Sequence, residues 1–218
     1  MITKTFEKWD TDEIELTFGL KRELSHPTLK AWTDAALSAK DIDEVSHRSL
    51  ESLRIKLLLY VNGWNEDEIK FRFIAPLINI VDFDIEEKNI HSFTQRTITA
   101  VVNDIKLTGR VDFVLATGKT KPIRPYFFLH EYKKERGSDN DPRAQLLAEM
   151  IAARELNKAE YPMYGCYVIG RNWFFLVLEG SVYAESDAFV ATQDDIFHIF
   201  SILREAKAII TRLAEKYV

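Results

Sequence analysis

Residues 93–134 read FTQRTITAVVNDIKLTGRVDFVLATGKTKPIRPYFFLHEYKK, and this stretch decides the fold. Phe93–Val102 is β-branched and partly alternating, and Ile105–Ala116 alternates around Val111, Phe113 and Leu115, so both read as strands. Asn103–Asp104 between them predicts a hairpin turn. Tyr126–Lys133 reads as a third strand, reached through Thr117–Pro125, where Gly118, Pro122 and Pro125 break regular structure. A three-strand meander results.

Working outward, the side before the meander is helical. Asn65 is a good N-cap, Glu68 stands where a capping-box acid would be, and Ile74, Leu77, Ile78 and Val81 give the helix after it a buried face. Leu50, Leu53, Leu57 and Leu58 mark another helix over residues 42–61, stopped by Gly63. The first forty residues are polar and weakly periodic, with one short helix candidate at Leu29–Leu37. On the other side, Asp141 as N-cap and Pro142 at the first helical position start a helix that runs to about Asn157. Ala144, Ala148 and Ala152 give it a small-residue edge able to lie close on a sheet. Two nearly unalternated apolar strands follow, MYGCYVIG at 163–170 and WFFLVLEG at 173–180, then a helix over about 194–215. A meander, a crossover helix and a further strand predict an α/β chain with a mixed central sheet and helices on both sides.

Composition sets the bounds. The chain has 218 residues, 46% of them hydrophobic and 29% charged, which suits one domain or one domain with an appendage. No apolar run approaches the ~20 residues of a membrane span, and the N-terminus has no apolar core of a secretory signal. One cysteine, Cys166, excludes a disulfide framework and a cysteine-based zinc site, and a cytoplasmic protein is the simplest expectation. The formal net charge is −5, but residues 91–143 carry 10 Lys and Arg against 6 Asp and Glu. That basic middle reads either as a phosphate-facing surface or as ordinary solvated charge.

The chemistry-bearing residues sit at the ends of two neighbouring strands. Side chains alternate along a strand, so Glu131 and Lys133 share one face, and Asp112 stands beside Glu131 if the two strands are antiparallel neighbours. Two carboxylates and a lysine at one place suit a hard divalent cation such as Mg²⁺, with the ammonium near the attacking water. The same triplet also reads as a salt-bridged strand end.

With its element order, the form GRVDF…FLHEYKK resembles the PD-(D/E)XK nuclease superfamily, the restriction-endonuclease-like fold. It looks especially like the members related to the nuclease part of type I restriction subunits. The resemblance covers roughly residues 64–180, after a helical N-terminal extension at 1–63, with the nuclease-like domain taken as 64–218. It implies an α-β-β-β-α-β core and a Mg²⁺- or Mn²⁺-dependent phosphodiesterase acting on nucleic acid, DNA first. It assigns Asp112 and Glu131 to the metal, the Tyr132 backbone carbonyl as a third ligand, and Lys133 to the water. A further acid is expected on the first core helix: Glu68, with Glu66 in reserve. Gln145 matches a glutamine that some members carry on the helix after the third strand. Two departures stand out: Val111 precedes Asp112 where the name has proline, and Glu149 stands where exonuclease-type members have tyrosine.

Arg110, Lys134, Arg136 and Arg143 flank this site and are the candidate phosphate contacts; Arg171 is a further cation. His130 points away from Glu131 and reads as a packed core residue, and Cys166 as inert. Such a nuclease would act alone, as a homodimer or with separate subunits. The alternative is a non-catalytic scaffold of the same fold that binds nucleic acid or a partner protein.

Overall fold

A computed structural model describes residues 2–38, 41–135, 140–158 and 161–217, the side chains of 124–129 and 217 excepted. In chain order the elements are β1 (Ile2–Thr5), α1 (Thr11–Phe18), β2 (Lys21–Arg22), α2 (Pro27–Ser38) and α3 (Glu44–Tyr60). Next come α4 (Glu66–Ile69), a π-helical turn (Lys70–Ile74) and α5 (Ala75–Val81), which run on as one rod. Then follow β3 (Ile90–Val102), β4 (Ile105–Thr117), β5 (Ile123–Lys133), α6 (Pro142–Asn157), β6 (Met163–Ile169), β7 (Asn172–Glu179), β8 (Val182–Glu185), β9 (Phe189–Val190) and α7 (Asp195–Tyr217).

Among the described residues the strands form one nine-stranded mixed sheet in the order β1-β4-β5-β6-β7-β8-β2, with β3 added along β4 and β9 along β7. The meander is antiparallel, and Asn103 and Asp104 both take left-handed φ angles in its first turn, as a tight hairpin requires. α6 carries the chain across one face, so β6 lies parallel to β5. The other face is covered by α2 and α7. Trp32 of α2 meets Tyr164 and Phe175 edge-on at 5.3 Å each and donates its indole N–H to the Ile202 carbonyl at 2.9 Å. Each such aromatic pair contributes ~0.5–1.5 kcal/mol beyond the area it buries.

The expected helical extension at 1–63 also supplies two strands and an extra helix, α1. β1 pairs parallel with β4 over Ile105–Thr108, and β2 pairs parallel with β8. Strands of four and two residues are too short to show a period in the sequence; sheet edges far along the chain create them.

One detail of this sheet positions the candidate site. β1 and β5 share the same edge of β4: β1 occupies it up to Thr108, and β5 takes over at Phe113. Gly109–Asp112 lies in the gap between the two.

Candidate active site

Asp112 closes this gap. One step beyond the pair Phe113↔His130, the register sets it across from Glu131, and its Oδ2 accepts the Tyr132 backbone N–H at 3.1 Å. A strand residue directs its N–H and C=O to the same neighbour, so the Tyr132 carbonyl faces this side too. Oδ1 of Asp112 takes two more donors, Lys70 Nζ at 2.8 Å and Gln95 Nε2 at 2.5 Å.

Glu131 is 2% exposed, and its Oε1 is bound to the Lys133 ammonium. Burial first, then the Asp112 charge, pushes the Glu131 pKa to about 8, against the pull of Lys133. Burial also works against the charge on Lys133, but the Glu131 carboxylate wins and holds its pKa above the ordinary lysine value. α6 lays two more polar groups on this spot. Gln145 Nε2 donates to Glu149 Oε1 at 3.3 Å, and Glu149 is fully buried. Burial, then Glu131 and Asp112, drives the Glu149 pKa well up.

Around Glu131, three buried carboxylate and amide oxygens have no hydrogen-bond donor among the described residues: Glu131 Oε2, Gln145 Oε1 and Glu149 Oε2. A buried acceptor left unpaired costs about 1–3 kcal/mol, a cost that a proton, a water or a bound ion at these oxygens would relieve. Four acids (Glu66, Asp112, Glu131, Glu149) face two lysines (Lys70, Lys133), a net −2 when all are ionised. Oxygen donors and that charge suit a hard divalent cation.

The structure thus brings Asp112, Glu131, Lys133, Gln145 and the Tyr132 backbone together. It places Glu68 elsewhere: its carboxylate closes the capping box on the Asn65 N–H at 3.0 Å and lies 3.9 Å from Arg72. Glu66 is the helix acid tied to the site, through Lys70 at 2.6 Å. Among the flanking cations, Arg143 is held by Glu185 through two bonds of 2.6 and 2.7 Å, so its guanidinium is already engaged. Arg110 is exposed on β4, Lys134 is half-buried just past β5, and Arg136 lies outside the described residues. Arg171 pairs with Glu135 at 2.9 Å. His130 is enclosed by Phe113, Tyr132 and Trp173, with Cys166 Sγ 3.0 Å from Nδ1, and burial lowers its pKa to about 3.

Lys70 and Gln95, which also bind Asp112, are absent from the expected set. Lys70 had one visible cue, its position four residues after Glu66 on the same helix face; Gln95 had none. A second cluster lies at the start of β3, where ligand atoms of Asp84, Glu86 and His91 fall within 4.8 Å of one another. Glu86 is 75% exposed there, and the Ser92 N–H and hydroxyl bind Oδ1 of Asp84.

Among the described residues, no helix is long and apolar enough to cross a membrane. No family model matches the sequence, and no curated protein matches it.

Proposed function

We propose that the chain is a metal-dependent phosphodiesterase of the PD-(D/E)XK kind, cutting nucleic acid, DNA first, in the cytoplasm. The observation that carries the reading is the set of three donorless buried oxygens beside Lys133. Asp112, Glu131 and the Tyr132 carbonyl would hold Mg²⁺ or Mn²⁺, which when bound acidifies a water and draws charge from the phosphate. Lys133 orients that water and offsets charge gathering on phosphorus. Gln145 and Glu149 fix the floor on which Glu131 rests, and Glu66 serves through Lys70 as the helix acid. One cysteine, buried, suits a reducing compartment.

A second reading has its own support. Lys70 already bridges Glu66 and Asp112 with its ammonium, as a cation would, and that suits a silent nuclease-like scaffold that binds nucleic acid or a partner protein. Incubation of linear, circular and single-stranded DNA with Mg²⁺ or Mn²⁺ separates the two. The nuclease reading expects cleavage that EDTA stops and that falls at least ~100-fold in Asp112→Ala and Lys133→Ala. Equal residual cleavage in both variants overturns it, and binding without cleavage favours the scaffold.

A further inference from the structure

A groove of about 440 Å³ leads away from Asp112 between the α4–α5 rod and β3. Two backbone irregularities face each other across it. One is the π turn at Lys70–Ile74, a geometry frequent at functional sites. It turns Lys70 in to Asp112 and leaves Phe71 81% exposed on the groove wall. The other is Gln95, which takes φ 54° in the middle of β3. The ladder steps over it, from Thr94↔Phe113 to Arg96↔Val111, and its amide is delivered to Asp112. A non-glycine residue held in this conformation is strained, and such strain gathers where a site needs a group aimed.

The lining says what fits. Ile74, Ile78 and Phe113 form a buried apolar floor. Asp67 and Asp112 bring negative charge to the groove, while its ammonium, Lys70, is already bound by Glu66 and Asp112. An anionic group is therefore disfavoured, and a neutral flat group with hydrogen-bonding edges is favoured. We infer that the groove is a nucleobase subsite, which receives the base next to the phosphate cut at Asp112 and Glu131. Phe71 supplies the stacking face, and the carboxamides of Gln95 and Asn79 meet the base edge. The inference rests on the phosphodiesterase reading and deepens it: the substrate presents an unpaired nucleotide.

The test is quenching of 2-aminopurine deoxyriboside 5′-monophosphate by the protein, with dAMP, dTMP, deoxyribose 5-phosphate and inorganic phosphate as competitors. The expected result is quenching, with both nucleotides competing at least tenfold better than the sugar phosphate. Phe71→Ala weakens binding about tenfold, as loss of one stacking face does, and Phe71→Trp restores it; unchanged melting of both variants excludes misfolding. Equal competition by deoxyribose 5-phosphate, or full binding by Phe71→Ala, overturns the subsite. DNA cleavage is followed in parallel. Cleavage without base preference removes the subsite and keeps the nuclease; base preference without cleavage does the reverse; absence of both removes both.

Discussion

At the scale of single residues, the site is an arrangement of charge that a proton, an ammonium or a metal ion can each satisfy. Glu131 carries a pKa of about 8 in the folded chain against 4.5 when free. Between those values the folded state holds more protons than the unfolded one, so stability falls as pH rises from 4.5 to 8. Melting temperatures across pH 5–8 should show this slope, and Glu131→Gln should reduce it, what remains being the share of Glu149, whose pKa burial also raises. Mn²⁺ should raise the melting temperature more at pH 8 than at pH 5, because it takes the place of the proton. On the proposed reading, Lys70 would be the internal rival of that ion. Lys70→Met leaves Glu66 and Asp112 uncompensated and should tighten Mn²⁺ binding about tenfold in a calorimetric titration, given that charges ~4 Å apart interact by ~1–4 kcal/mol near a surface. The shared face of Glu131 and Lys133 was legible from strand alternation, whereas the place of Asp112 beside them was legible only as a condition on pairing, because the β4–β5 register shifts twice between Leu115 and Thr117. Gln95 was not, because glutamine gives no local cue to left-handed backbone. The choice between Glu66 and Glu68 also escaped, since a capping box satisfies Glu68 locally whatever lies beyond.

At the scale of elements, β4 is the member on which most depends, with β3 along one edge and β1 and β5 dividing the other. Gly109 is where the division begins, and a Cβ built there would stand 2.5 Å from Cδ2 of Phe6, which is buried just after β1. Gly109→Ala should therefore cost ~1–3 kcal/mol by overpacking, read as a lower urea midpoint. Phe6→Ala in the same background should not add its full separate cost, since the clash goes with the ring. The long periodic elements, from α3 through α6 to α7, were legible because each shows its own repeat. β1, β2, β8 and β9 were not: two to four residues hold no period, and their partners are set by tertiary contact.

At the scale of the whole molecule, one carboxylate ties the first helix to the helix beneath the site. Asp141 Oδ1 caps α6 at the Ala144 N–H at 3.1 Å, while Oδ2 takes the Thr11 N–H at 3.1 Å and its hydroxyl at 2.6 Å at the start of α1. Asp141→Ala should lower stability by ~2 kcal/mol, a lost cap plus a lost tether. In a double-mutant cycle with Thr11→Ala, the shared part should appear as a coupling above ~0.5 kcal/mol. The cap itself was legible from the Asp-Pro start, and the parallel return of β6 from the length of the crossover. The tether, which joins residues 130 apart, was not. The seam in β4 has a consequence in time as well. Amides bonded within a sheet trade hydrogen for deuterium only when the sheet opens, whereas those turned toward an unfilled stretch of strand edge do so without unfolding. Along Gly109–Asp112, exchange of the amides that face away from β3 is therefore governed by what fills the seam, so isotope uptake at those positions reports occupancy separately from the melting of the fold.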